Sequence, residues 1–263
     1  MKPLIDADIL LYEIGFAAKA GWKGEDNPPF QYVEELLTER ISAIIKEAGG
    51  TEPPIFYFTG PNNFRYKIAK LRPYKERLSN KPFHYKNIKA HILFHYNCVV
   101  TNGYEADDAI CIEQTKGLRE GYDTIVCTRD KDLRAVPGWH YGWELHNQPK
   151  FGPKYVEGFG EIRLSSDRKS IKGEGLLFFY SQCLTGDGVD TIPGLPKFGA
   201  VKTFDTLSNT NTPIEAFKAV LEAYRGVYGP LAEEHLLEQG RLLWMVRDLD
   251  SEGKPVMWEF PIE

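Results

Sequence analysis

Three short acidic runs, each close behind an apolar stretch, set the tightest limit on what this chain can become. They are Glu105-Ala106-Asp107-Asp108, Asp130-Lys131-Asp132 and Asp187-Gly188-Val189-Asp190. A buried carboxylate is costly to ionise, and several together repel one another unless a cation neutralises them. Any fold that gathers them has to supply that charge. Hard oxygen donors suit Mg²⁺ or Mn²⁺, and a pair of such ions is well suited to phosphodiester hydrolysis.

The sequence around these runs alternates strand and helix. Leu4-Ile5-Asp6 reads as a short buried strand. Val33, Leu36, Leu37, Ile41, Ile44, Ile45 and Ala48 mark one face of a helix that Gly49-Gly50 ends. Ile55 to Phe58, Asn97 to Thr101 and Thr124 to Cys127 read as further strands. A helix is expected from about Glu105 to Leu118, and a helical turn from Asp130 to Leu133. This rhythm predicts an α/β fold with a mostly parallel sheet covered by helices. Ligands of open α/β sheets bind beyond the carboxyl ends of the strands. Asp6, the Glu105 run and the Asp130 run all follow such ends, so the carboxylates are expected to converge.

From Trp139 to Ile162 the chain is rich in aromatic residues, Gly and Pro, which suits strands and loops. From about Lys172 it turns helical, with an apolar segment Leu176 to Leu184 and amphipathic helices at Pro213 to Tyr228 and Leu231 to Val246. A late strand is expected at Val256 to Phe260. These shifts suggest a domain of residues 1–170 and a helical one of residues 171–263.

The first two acidic runs have a plainer explanation as helix caps, since acids at a helix start complement its dipole, and the third by itself reads as a plain turn. The third is made specific by Gly194-Leu195-Pro196-Lys197-Phe198-Gly199, which resembles the turn of a helix-hairpin-helix. The free N–H groups of the next helix could face a phosphate there, with Lys197 and Lys202 adding charge. Such a turn grips backbone and reads no bases. The net charge of −5 argues against a polyanionic partner, but the sum hides a local excess. Between Arg65 and Lys89 the chain has nine basic residues and one acid, Glu76, with Phe64, Tyr66, Tyr74, Phe83 and Tyr85 interleaved. Bases stack on aromatics while phosphates need cations, so this mixture suits single-stranded nucleic acid. A solvated basic helix is the plainer alternative.

Other features exclude more than they propose. Cys98, Cys111, Cys127 and Cys183 are far apart, without a Cys-x-x-Cys pair, as in reduced buried thiols of a cytoplasmic protein. His91 and His95 stand one helical turn apart without a Glu or Cys to complete a zinc set. No Gly-x-x-x-x-Gly-Lys loop, signal-peptide pattern or apolar run near the ~18 residues of a membrane span occurs.

Taken in order, Ile5-Asp6-Ala7-Asp8, Phe64-Arg65, Tyr74-Lys75-Glu76-Arg77, Glu105-Ala106-Asp107-Asp108, Thr128-Arg129-Asp130-Lys131-Asp132 and Gly186-Asp187-Gly188-Val189-Asp190 with its hairpin resemble the 5′-nuclease superfamily. That group takes in flap endonucleases, the 5′-nuclease domain of bacterial DNA polymerase I and bacteriophage 5′–3′ exonucleases, and the last are the most similar. The resemblance implies a PIN-like sheet with a helix-hairpin-helix subdomain and a short basic arch over residues 65–96. It implies two Mg²⁺ ions, with Mn²⁺ as substitute. Asp6, Glu105 and Asp107 would hold one, Asp108 would lie between them, and Asp130, Asp132, Asp187 and Asp190 would hold the second. Lys75 and Arg77 would contact the scissile phosphate and Arg65 a nearby one. Gly194, Lys197, Gly199 and Lys202 would grip duplex DNA, with K⁺ on the hairpin carbonyls.

The implied activity is 5′–3′ exonuclease and flap endonuclease cleavage to 5′-phosphate products by a monomer in the host cytoplasm, on duplex DNA with a 5′ end or flap and on RNA–DNA hybrids. Many members carry a further aspartate after the second strand. Here Phe58-Thr59-Gly60-Pro61 stands there, so Asp8 or water has to compensate. Two alternatives stay open: a PIN-type ribonuclease on single-stranded RNA, which would not need the hairpin, and a non-catalytic DNA-binding scaffold.

Overall fold

A computed structural model describes residues 1–76, 80–146 and 148–261. The first apolar run, with Leu4 and Ile5 fully buried, forms the central strand β1 (Lys2–Asp6), and the chain turns directly into α1 (Ala7–Gly21). There follow α2 (Phe30–Glu47), β2 (Ile55–Phe58), the single turn α3 (Arg65–Ile68), α4 (Tyr85–His95), β3 (Asn97–Val100), α5 (Ala106–Glu120), β4 (Thr124–Cys127), β5 (Gly138–Gly142) and β6 (Phe151–Val156). The expected helical turn is a 3₁₀ turn, Asp132–Ala135. Beyond it lie the hairpin strands β7 (Glu161–Leu164) and β8 (Ile171–Glu174), then α6 (Gly175–Thr185), α7 (Ala200–Leu207), α8 (Pro213–Tyr228) and α9 (Ala232–Leu243).

The six-stranded sheet has the order β3-β2-β1-β4-β5-β6, and the β1–β2, β2–β3, β1–β4 and β4–β5 pairs are parallel. The chain runs outward from β1 to β3, then returns through α5 to β4 on the other side. The topological switch point therefore lies between β1 and β4, where open sheets of this kind bind ligands. Successive strand residues face opposite ways. Ile5, Phe56, Phe58, Ile125 and Cys127 share a core with α1, α2 and α4, while α5 packs against β1, β2 and β4. Gly15 of α1 abuts Pro82, where a Cβ would come within 2.4 Å of the proline Cγ. His84 Nε2 pairs with the Pro28 carbonyl at 2.7 Å, which ties the segment before α4 to the start of α2.

The chain packs as two units. One comprises residues 1–62, 79–130 and 138–155; the other comprises 63–78, 131–137 and 156–263. The core of the second forms around α6, whose Leu177, Phe179, Tyr180, Cys183 and Leu184 are buried together with Leu207, Val220, Tyr224, Leu236 and Trp258. Tyr224 Oη donates to the Cys183 carbonyl at 2.6 Å. The strand expected at Val256 to Phe260 does not form: that stretch has only an isolated bridge before it, Leu249 to Pro255. Its aromatics pack instead, with Trp258 and Phe260 both against Phe217. Among the described residues no helix is long and apolar enough to cross a membrane, and all four cysteines are free thiols.

Candidate active site

The first unit holds Asp6, Glu105, Asp107, Asp108 and Asp130; the second holds Asp132, Asp187, Asp190, Arg65, Lys75, Gly194, Lys197, Gly199 and Lys202. Arg77 lies outside the described residues.

In the first unit Asp6 ends β1 and is buried. Its Oδ2 accepts the Thr128 hydroxyl at 2.8 Å. Thr128 follows β4, and the same hydroxyl oxygen accepts the Asp130 N–H at 3.0 Å. One threonine thus links the carboxyl ends of the two strands at the switch point. Burial, then the neighbouring charge of Asp8, push the Asp6 carboxyl up to about 7 against the Thr128 hydrogen bond, and Asp130 adds further repulsion.

Asp8, in the first turn of α1, accepts the Thr59 N–H on Oδ2 at 2.8 Å. Its carboxylate therefore sits at the end of β2, the place where the resemblance calls for a further aspartate. Burial raises its pKa more than the Thr59 hydrogen bonds and Lys89 lower it, and Glu105 adds repulsion. The Glu105 run opens α5 as a capping box: Glu105 accepts the Asp108 N–H, and Asp108 Oδ2 accepts the Glu105 N–H at 3.0 Å. The Ala106 N–H donates to Thr59 Oγ1 at 3.0 Å. Capping and proximity to Asp8 coexist in the same run, so the plainer explanation of this motif is realised without displacing the other.

In the second unit the Lys131 ammonium stands between two acids, 3.3 Å from Asp132 Oδ1 and 3.2 Å from Asp187 Oδ2. Gln182 Nε2 donates to Asp132 Oδ1 at 2.7 Å. Asp187 Oδ1 accepts the Val189 and Asp190 N–H groups at 2.7 and 3.3 Å. Burial pushes Asp187 up, but Lys131 and those N–H groups outweigh it, and the net direction is down. Asp190 accepts the Tyr74 hydroxyl at 2.9 Å, lies 3.7 Å from Lys75 Nζ and receives the Lys75 N–H on its carbonyl at 3.0 Å. Lys75 itself has a left-handed backbone, φ 48°, which a non-glycine residue adopts only where its surroundings hold it there.

Arg65 departs from expectation. The resemblance puts it at a phosphate, but its side chain is buried and donates to the carbonyls of Leu242 at 2.9 Å and Trp244 at 2.7 Å. A guanidinium's planar fork suits the open carbonyls at the end of α9. In the segment 194–199, Gly194, φ 65°, packs so tightly that a Cβ would fall 2.3 Å from the Gly186 nitrogen, and α7 begins directly after the exposed Gly199. Lys197 and Lys202 are exposed, the latter 3.9 Å from the Phe198 ring centroid.

Sequence reasoning gives no role to Lys131, Gln182 or the Thr128 hydroxyl's double contact, and places Lys89 only in the basic stretch. The one available signal is Thr128, two residues before Asp130, where its position suggests only a cap. Among the described residues no three His, Cys, Asp or Glu side chains are placed to hold an ion at one point. In chemistry the donor set still fits hard divalent cations. It is all carboxylate oxygen, its surplus charge resists ionisation at Asp6, and an ammonium already balances Asp132 and Asp187.

No family model matches the chain. DNA polymerase I of Rhizobium leguminosarum is 26% identical over 137 residues, which is 50% of this chain and 12% of that polymerase. Two solved structures superpose along almost the whole length. The T5 D15 protein co-crystallised with metal ions gives a TM-score of 0.57 at 14% identity, over 93% of this chain and 89% of the other. The bacteriophage T5 D15 flap endonuclease, a variant in a pseudo-enzyme–product complex with DNA and metal ions, gives 0.52 at 12% identity, over 92% and 98%. The chain therefore has the fold of these T5 D15 structures.

Proposed function

We propose that this chain is a metal-dependent 5′–3′ exonuclease and structure-specific flap endonuclease that leaves 5′-phosphate products. The observation that carries the reading is the Asp6–Thr128–Asp130 linkage at the sheet's switch point, with Asp8 close enough to raise Asp6. A pocket that resists ionisation of its own carboxylates is poorly suited to stability and well suited to a cation.

In the first unit Asp6, Asp8, Glu105, Asp107, Asp108 and Asp130 would hold an ion, and Asp8 takes the place of the aspartate absent after β2. In the second, Asp132, Asp187 and Asp190 would hold one. Bound divalent ions would activate water and neutralise charge on phosphoryl oxygens. The chain's own groups do the rest. Thr128 orients Asp6. Asp190 and Tyr74 hold Lys75, whose ammonium offers charge to a non-bridging phosphate oxygen. Lys197, Lys202 and the N–H groups that open α7 hold duplex backbone. RNA–DNA hybrids belong to the same substrate class, because the contacts are with phosphates.

The test is a labelled duplex with a 5′ end or flap, incubated with Mg²⁺ or with chelator. Metal-dependent release of 5′-phosphorylated nucleotides is expected. Cleavage of RNA alone would indicate a PIN-type ribonuclease, and binding without cleavage a scaffold. Asp130→Asn should abolish cutting while binding persists; full turnover by that variant would remove Asp130 from the site.

A further inference from the structure

The hairpin β7–β8 sets two exposed cations directly opposite each other. The hairpin, Glu161 to Glu174, has four basic side chains, Arg163, Arg168, Lys169 and Lys172, and three acids, Asp167 at its tip and Glu161 opposite Glu174 at its open end. The antiparallel register sets Arg163 directly opposite Lys172, and both are exposed. Like charges facing across a strand pair destabilise it. Among the described residues none of the four basic groups makes an ion pair.

The hairpin is also held rigidly. Its inner face carries Ile162, Leu164 and Ile171, with Ile162 packed on the second unit's core. At its tip Asp167 accepts the Ser165 hydroxyl at 2.6 Å and the Lys169 N–H at 3.1 Å, and the Arg168 N–H donates to the Ser165 carbonyl at 2.8 Å. Asp167 is thus engaged within the turn. A polar cavity of about 290 Å³ is lined by Lys169 and Ser170 from the hairpin and by Gly199 and Ala200 from the start of α7, with Lys131 also on its wall. The hairpin tip and the start of α7 are therefore neighbours across a single cavity.

We propose that β7–β8 is a second phosphate-contacting element, which extends the duplex-holding surface at the start of α7 so that the chain grips a longer stretch of double-stranded DNA. Arg163 and Lys172 form the outer contact, and Arg168 and Lys169 bridge toward Gly199. The proposal rests on the nuclease reading above and deepens it.

The test measures affinity for fluorescent DNA duplexes in chelator, so that nothing is cut, across a range of salt. Removing one cationic group from the phosphates flattens the slope of log Kd against log salt by about 0.9. For R163Q/K172Q on a duplex of about 30 base pairs, a roughly tenfold weaker Kd and a slope flatter by about 1.8 are expected. On a duplex too short to reach the hairpin, the variant should match the wild type. R163K/K172R, which keeps both charges, should bind as the wild type does, and K197Q/K202Q should weaken both duplex lengths. If K197Q/K202Q weakens binding while R163Q/K172Q leaves Kd and slope unchanged on the long duplex, this inference fails alone. If the wild type binds no DNA, the nuclease reading fails and this one with it. Loss of binding to phosphatidylserine vesicles, with DNA affinity unchanged, would assign the hairpin to a membrane surface and overturn the proposal.

Discussion

Replacing Asp6 by Asn deletes one charge and keeps an oxygen acceptor for the Thr128 hydroxyl. In the wild type burial and Asp8 move this carboxyl from the ordinary 3.8 to about 7. Ionising it in the folded chain then costs about 4 kcal/mol relative to the unfolded chain. Between pH 4 and 7 the folded chain keeps a proton that the unfolded chain has released, so wild-type stability falls as pH rises through that window. The cost is absent at its acid end and complete above its alkaline end. Asp6→Asn should therefore be the more stable protein in chelator at pH 8, by as much as about 4 kcal/mol, and the advantage should vanish near pH 4. Urea unfolding of both proteins across the range isolates this difference, because every other titrating group is shared. Adding Mn²⁺ at about a hundred times its Kd should return about 2.7 kcal/mol to the wild type and much less to the variant. Superimposable unfolding curves at pH 8 and pH 5 would refute the argument that surplus negative charge strains this pocket.

Arg65→Lys gives up the paired contacts to the Leu242 and Trp244 carbonyls. It should cost about 2–3 kcal/mol in chemical denaturation while DNA affinity of the folded variant is unchanged; a loss confined to DNA binding would restore the phosphate role. Lys131→Met removes the ammonium shared by Asp132 and Asp187. Titration calorimetry should show Mn²⁺ binding tightened several-fold, and weaker binding would mean the lysine supports the ion instead of competing with it. Gly240→Ala would place a Cβ 2.2 Å from the Trp258 ring. The clash should outweigh the usual helix gain and leave a net loss of about 1–3 kcal/mol, read by thermal melting.

The legible parts of the fold are those where one physical signal dominates. β2 and β4 are short, buried apolar runs whose bounds in the sequence and in the structure coincide. α8 begins and ends as expected because Thr212 caps it and Pro213 occupies its first position. α1 escapes the sequence reading, although Leu10, Leu11, Ile14 and Ala18 carry helical spacing, because β1 passes into it with no Gly or Pro between them. Val256, Trp258 and Phe260 alternate as a strand would, yet the aromatics gain more by packing on Phe217 than a lone edge pairing would give. Within the candidate site, the acidic residues are legible by type and by their place after strands. Arg65 misleads because a charge in a basic run reads as surface, and only the fold reveals the carbonyls it serves. Lys131 looks like a mere spacer between two aspartates. The return of residues 63–78 and 131–137 to the second unit depends on packing over long sequence separations, which local pattern does not encode.

The contact between Gly15 and Pro82 gives one hydrogen atom an outsized influence. Both α1, which carries Asp8 at its start, and α4, which carries Lys89, are indexed to each other through that touch. A methyl group at position 15 meets a rigid ring that cannot swing aside, so the segment leading into α4 would be levered outward. Lys89 would then retreat from the carboxylate it partly neutralises, and an alanine far from any reacting atom would alter the charge balance of the pocket.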